Sequence, residues 1–403
     1  YNFAKIQNTN LKIKSERMTA IITKNSNFVR LDSIISEVLG ISRAKSVSLI
    51  KSNKVYLNGN PALKPSLQVA QGDKIEIDED INLEQDLSHL DTKSLDELIA
   101  IKPQLQQIDI VHKDSDILII NKPPNLVLHP APNLKEPTLQ DWLKCKAKDF
   151  GITLNEDFRY GIVHRLDRET SGVLSIAKNA TAFNALSNQL KSRQMGRIYL
   201  AIIEPPLKEA QTLECYLGRN PKNRLKITQI GKATRHIIPQ ECFEYGDGES
   251  PHKQSKQDLQ GDLAHNPSVD SRHLRYAKSA FLPLLHSRSN AMQLIAVKLF
   301  TGRTHQIRAQ LEGLGRHIVG DSLYGFKLHS KAGREFSTFL AQSPLARNLT
   351  HRIFLHAYVL YLRHPNDERG KISLFRAQIL ADMVEFLQTF FDLDGVNEAL
   401  DIE

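Results

Sequence analysis

The run His164-Arg165-Leu166-Asp167-Arg168-Glu169-Thr170-Ser171-Gly172 is the most chemically informative stretch of the chain. Asp167 has an arginine two residues before it and another immediately after it. Positive charge that close favours an ionised carboxylate, the form a nucleophile or a general base requires. Thr170, Ser171 and Gly172 can turn the chain back through side-chain-to-backbone hydrogen bonds and a permissive glycine. Taken singly, the run also fits a charged hairpin loop with solvated ion pairs. A second stretch is Thr301-Gly302-Arg303-Thr304-His305-Gln306-Ile307-Arg308. It follows a strand and opens a helix, so Arg303 and the first backbone N–H groups can meet a phosphate. Arg308 lies one helical turn further in, where it can grip a carboxylate with both guanidinium edges. A structural arginine fits equally well. A third is Arg197-Ile198-Tyr199, at the start of a strand. Its tyrosine offers a flat ring for stacking on a base and a hydroxyl for proton transfer, although packing is the ordinary role of a strand tyrosine.

These side chains need rigid elements to hold them. Apolar strands over 161–163 and 173–176 flank the Asp167 run, which makes it a loop presented by a scaffold. Further strands are expected over 117–120, 199–203 and 293–297, with helices over 181–190, from residue 305 to Gly313 or Gly315, and over 379–391. Many short strands with few helices between them imply an α+β domain with a largely antiparallel or mixed sheet over 108–391. Within it, residues 245–275 are polar throughout and are expected to form a surface insertion. Before it, residues 28–78 form a small α/β unit of two amphipathic helices and short strands, with Asn58-Gly59 as a tight turn. Residues 1–27 read as a flexible lead-in, 79–107 as a linker and 392–403 as a tail.

With 403 residues and a hydrophobic share of 41%, the chain has soluble globular composition and length for two domains. It has no apolar run long enough to span a membrane. Residues Tyr1 to Lys5 lack the features of a secretion signal, and no initiator Met precedes them. The three cysteines are scattered, which argues against a structural zinc or a disulfide scaffold and suits a reducing cytoplasm. The formal net charge of +8 suits a polyanionic partner.

Together these motifs resemble the RluA family of pseudouridine synthases. The likeness runs in order through Asn121-Lys122-Pro123-Pro124 with His129-Pro130, the Asp167 run, Arg197-Ile198-Tyr199-Leu200-Ala201 and Gly302 to Arg308. It continues through His317-Ile318-Val319-Gly320-Asp321-Ser322-Leu323-Tyr324-Gly325 and Leu355-His356-Ala357 ahead of His364-Pro365. Residues 28–78 resemble an S-four-like RNA-binding domain through Arg30-Leu31-Asp32, Ser42-Arg43 and Val55-Tyr56-Leu57-Asn58-Gly59. Here Lys54 stands where a glycine usually precedes the strand.

The resemblance implies a pseudouridine synthase catalytic domain behind an S-four-like module, acting without cofactor or metal. Its substrate would be structured RNA, large-subunit ribosomal RNA in the branch that carries this module. It implies Asp167 as the essential carboxylate, Tyr199 stacked on the target base and Arg308 paired to Asp167. Leu166 and Ile307 would line the pocket. Arg165, Arg168 and Arg303 would hold phosphates or the extruded nucleotide, and His164, Thr170 and His305 belong to the same RNA-contacting set. A basic face with Arg30, Arg43, Lys45, Lys51 and Lys54 would grip folded RNA. A cytoplasmic monomer is the default expectation.

Overall fold

A computed structural model of the chain describes residues 17–21, 29–39, 43–70, 72–78, 94–131, 134–238, 274–345, 352–367 and 370–400. The chain divides into two compact units, one ending at residue 93 and the other running from residue 94 onward, apart from residues 155–158, which group with the first.

In the first unit, β1 (Arg17–Ile21), β6 (Lys74–Asp78), β3 (Val55–Leu57) and β4 (Asn60–Pro61) form one sheet in that order. β2 (Val29–Arg30) pairs with β5 (Gln68–Val69). Two helices, α1 (Leu31–Leu39) and α2 (Arg43–Lys51), accompany them. Leu31, Ile35, Leu49, Ile50, Val55, Ile75 and Ile77 form the core. Asn58 and Gly59 both take positive φ, 53° and 80°, as a two-residue hairpin turn requires. The left-handed residue before β3 is Asn53, φ 58°, rather than Lys54. Asparagine tolerates that conformation, so the lysine needs no glycine in its place. β1 lies inside the segment expected to be a flexible lead-in. It pairs with β6 over five positions, and backbone pairing of this kind is invisible to composition.

The second unit is built on a sheet of eleven strands. Its main path runs β12 (Ile227–Ile237), β11 (Gln211–Arg219), β13 (Arg275–His286), β14 (Gln293–Leu299), β10 (Gly196–Glu204), β16 (Leu355–Arg363), β9 (Ser171–Ala177), β8 (Ile117–Lys122) and β7 (Asp109–Lys113). β15 (His317–Ile318) pairs with β10, and β17 (Ile372–Arg376) pairs with β16. The β9–β16 pair is parallel and the other pairs are antiparallel, the mixed sheet expected. Helices α3 (Leu95–Ile101), α4 (Leu139–Phe150), α5 (Ala180–Ser192), α6 (Gln306–Gly313), α7 (Lys331–Gln342), α8 (Ala381–Phe390) and α9 (Leu393–Leu400) join the strands. An aromatic cluster of Phe336, Phe339, Phe354 and Phe386 packs α7 and α8 against strand residues such as Leu200 and Leu294.

Three elements of this unit differ from expectation. Residues 161–163 form no strand; Ile162 makes one isolated bridge to Ile176, because the chain must turn at once into the Asp167 loop. The stretch expected to be linker contains α3, begun by a Ser94–Glu97 capping box, and Leu98 and Leu105 are buried. The expected tail contains α9, whose Val396 and Leu400 join the aromatic core. Acidic flanks masked short amphipathic helices in both places. The expected insertion, 245–275, lies outside the described residues except for its last two.

Candidate active site

The Asp167 loop leaves the sheet just before β9, and its return is tight. Gly172 sits at φ 116°, and a Cβ there would lie 2.2 Å from the Ala357 carbonyl oxygen. Only glycine permits both the backbone angle and that approach to the parallel neighbour. Ser171 Oγ lies 2.9 Å from His356 Nδ1. The Thr170 N–H donates to the Asp167 carbonyl and closes the turn. From below, the buried Lys122 ammonium donates to the carbonyls of Pro123, Leu126 and Arg168 at 2.8, 3.0 and 3.2 Å. Burial pulls this ammonium down to about 7, against the opposing charges of Glu169 and Asp167.

One pocket of about 40 Å³ gathers the three chemical stretches. Asp167, Leu166 and Thr170 come from the loop, Tyr199 and Arg197 from β10, and Arg303, Ile307 and Arg308 from α6 and the turn before it. Asp167 is accessible at its mouth, with 13% of its side chain exposed. Burial raises the Tyr199 hydroxyl, and the charge of Asp167 adds to this against Arg197. The phenol is therefore protonated in the resting site.

Arg308 does not pair with Asp167. Its Nε and Nη2 donate to the two oxygens of Asp321 at 2.7 and 2.8 Å, and Nη1 donates to Glu169 at 3.2 Å. Its guanidinium also lies 4.8 Å from the Tyr324 ring centre. Burial opposes the charge on Arg308, but the bidentate bond to Asp321 and the charges of Asp321, Asp167 and Glu169 more than offset it. Arg308 therefore acts on Asp167 through the field of a fixed cation. The reason is local: Asp321 caps the turn at Ser322–Tyr324 and presents both oxygens to the guanidinium fork.

His305 begins α6 in the left-handed conformation, φ 50°. Its Nδ1 lies 3.0 Å from the Tyr324 hydroxyl, and its Nε2 lies 4.0 Å from Asp167. Burial lowers this imidazole, outweighing Asp167, so the contact with Asp167 is not an ion pair at neutral pH. Gln306 locks the turn: its side chain accepts from Thr301 and from the Arg303 N–H and donates to the Lys278 carbonyl and to Ser279.

Other residues expected to touch RNA divide by direction. Arg165, Arg168 and Arg303 are exposed. Arg168 pairs with Glu136 at 3.0 Å, and Arg303 Nε donates to the Tyr276 carbonyl. His164 is buried instead: Nε2 accepts from the Ser175 N–H, and Arg197 Nη1 lies 2.8 Å from Nδ1. Burial, then Arg197, holds this histidine well below its usual range. It is a neutral peg under the loop, held by the Ser175 N–H of β9. Thr170 also points inward, and its hydroxyl is buried without a hydrogen-bond partner among the described residues. In the first unit, Arg30 is committed to Asp32 through two bonds of 2.9 and 3.1 Å. Lys51 is exposed and Lys54 half-buried. The side chains of Arg43 and Lys45 lie outside the described residues.

Sequence reasoning gave no role to Asp321, Lys122, Arg197 or Gln306, although all four stand in quoted motifs. A buried arginine in need of a carboxylate was the available signal for Asp321. Asp114, Asp116 and His364 also come together away from the pocket, but their polar atoms are engaged by His112, Ser115, Asn179 and Asn366.

The RNA pseudouridylate synthase family matches residues 116–313, and the S4 domain matches residues 29–75. An "Uncharacterized RNA pseudouridine synthase" of Helicobacter pylori (strain J99 / ATCC 700824) is 38% identical over 392 residues, covering 96% of this chain and 97% of that protein. "Ribosomal large subunit pseudouridine synthase D" of Neisseria meningitidis serogroup A / serotype 4A (strain DSM 15465 / Z2491) is 28% identical over 379 residues, covering 93% of this chain and 82% of that protein. The solved structure of "Human RNA Pseudouridylate Synthase Domain Containing 4" is 20% identical, with a TM-score of 0.47, and covers 72% of this chain and 95% of that one. The chain belongs to the RNA pseudouridine synthases, of RluA type with an S4 domain ahead of the catalytic unit. Its reaction is the isomerisation of uridine in RNA. No helix among the described residues is long and apolar enough to cross a membrane.

Proposed function

We propose that the chain isomerises uridines of large-subunit ribosomal RNA, with Asp167 as the essential carboxylate. One observation carries the assignment of Asp167: three separate stretches converge on a single pocket in which it is the accessible carboxylate, beside a buried tyrosine and a fixed arginine. The ribosomal target is favoured by the S4 match and by the printed name of the Neisseria relative. A cytoplasmic location goes with that target, and a monomer remains the default assembly.

The reaction breaks the bond from N1 of uracil to C1′ of ribose, turns the base, and forms a bond from C5 to C1′. A proton leaves C5 and N1 gains one, so nothing is consumed. Asp167 either attacks C1′ or removes the neighbouring sugar proton; an ionised carboxylate serves both. Arg308, held by Asp321, leaves the Asp167 oxygens unoccupied for the sugar. The protonated Tyr199 offers its face to the base, and its hydroxyl can donate a hydrogen bond. The pocket holds little more than a water molecule, so the side chains bordering it must move to admit a uracil ring. Extruding the base costs a few kcal/mol, which phosphate contacts on the basic rim offset.

Release of tritium from C5-labelled uridine in unmodified large-subunit ribosomal RNA tests this. Wild type should release tritium with no free uracil. Asp167→Asn should abolish release while holding RNA affinity within a few-fold. Free uracil would mean glycosidase chemistry, and a large affinity loss in the variant would make Asp167 structural.

A further inference from the structure

Beside the Asp167 pocket lies a second cavity of about 480 Å³. Arg165, Arg197, Leu299, Gly302 and Arg303 line both, so the two spaces adjoin. Its charged lining is all cationic: Arg159, Arg165, Lys191, Arg193, Arg197 and Arg303. Among the described residues, no carboxylate lines it. That is an unfavourable way to place charge unless an anion completes it.

Arg193 makes the case specific. It terminates α5 in the left-handed conformation, φ 65°, and its Nη1 is buried without a hydrogen-bond partner among the described residues. The helix C-terminus accounts for a cation such as Lys191 in its last turn. It does not account for a buried guanidinium nitrogen with no acceptor, which costs free energy unless a ligand supplies one. Although Arg303 keeps an exposed face, burial of its remainder and the charges of Arg275 and Arg193 push it down. Burial likewise pushes His129 down against its hydrogen bond to Gln140, with smaller contributions from Arg159 and Arg165. The volume exceeds what a phosphate needs and falls in the range of about 300–1,000 Å³ typical of small-molecule sites. Phe300 and Met195 in the wall give a nucleobase apolar surface to lie against.

We propose that this cavity seats the RNA nucleotide adjoining the target uridine, with its phosphodiester on Arg193 and Lys191. The inference rests on the reading of the Asp167 pocket as the place where the target reacts. It makes the substrate a strand held on both sides of the reacting base, and it assigns to Arg193 and Lys191 a contact outside the motifs that carry the chemistry.

The test is equilibrium binding of a uridine hexanucleotide to the full chain across a salt series, comparing wild type with Arg193→Gln and, separately, Lys191→Gln. Each variant should bind three- to tenfold more weakly at low salt. Its slope of log affinity against log salt should be shallower by about 0.7, the value for one lost phosphate contact to a single strand. Inorganic phosphate at millimolar concentration should compete poorly. Unchanged slopes in both variants would overturn the proposal, and so would phosphate alone erasing the difference between Arg193→Gln and wild type. Tritium release by wild type alongside unchanged slopes would sink this proposal and spare the catalytic reading. Shallower slopes without tritium release from any RNA would keep the phosphate contact at Arg193 and Lys191 but overturn its placement beside a reacting uridine.

Discussion

Two neighbouring regions of the catalytic unit treat their arginines in opposite ways. On the Asp167 side, Arg308 is buried and its guanidinium is bound to Asp321 and Glu169. On the cavity side, Arg193, Arg303 and Arg165 line one space with no carboxylate among the described lining residues. A paired buried arginine is architecture: it fixes a charge where the carboxylate chemistry needs it, and it cannot be given up to a ligand. Arginines crowded without counter-ions are held ready for an anion that arrives from outside. Separate positions therefore supply the field and the grip, although all of them are positive charges in an RNA-modifying site.

The sharpest way to break this comparison is to remove the counter-ion of the paired side. Asp321→Asn leaves Arg308 buried with only Glu169. Loss of one partner of a buried pair should cost about 3 kcal/mol of stability, read by chemical denaturation, with a large fall in tritium release. An unchanged denaturation midpoint would mean that Glu169 suffices and that the Arg308–Asp321 pair is dispensable.

Acid should strike the same side. Burial, with Arg352 adding to it, pushes His356 down to about 3, against about 6.5 in an unfolded chain. Between those values the unfolded state takes up a proton that the folded state refuses, so stability falls as pH drops from 6.5 towards 3. The slope should approach roughly 1.4 kcal/mol per pH unit. Midpoints measured from pH 7 to pH 4 in wild type and His356→Asn check this; parallel pH profiles would remove His356 as the source.

On the unpaired side, Arg193→Gln should lower RNA affinity by the three- to tenfold stated above while leaving the denaturation midpoint nearly unmoved. A loss of stability comparable to that of Asp321→Asn would erase the distinction between the two regions. The smallest effect belongs to Arg168, whose pairing with Glu136 is exposed, with 47% of the arginine side chain accessible. Arg168→Gln should change stability by less than about 1 kcal/mol. A larger effect would mean that its contact with the loop matters more than its exposure implies.

Much of the fold was legible because it rests on local pattern. The strands around 117–120, 199–203 and 293–297, the helix over 181–190 and the Asn58-Gly59 turn all carry period or turn chemistry in a few residues. Short amphipathic elements beside charged stretches, such as α3 and α9, were not legible, since their apolar residues mean something only against the core that covers them. The strand expected at 161–163 failed for the complementary reason, because apolar residues there are spent on the approach to a loop.

The sequence by itself determined which side chains exist for chemistry and the order in which they occur. The spacing around Asp167, Tyr199 and Arg308 is a property of the chain, and so is the charge balance that suits a polyanion. Only the tertiary structure decided who meets whom. It gave Arg308 to Asp321, turned His164 into a neutral peg, and brought the end of α5 beside the Asp167 loop to make a basic cavity. The physical reason is that pairing between charges depends on distance and burial in three dimensions. Those are set by strands that are neighbours in the sheet though far apart in the chain.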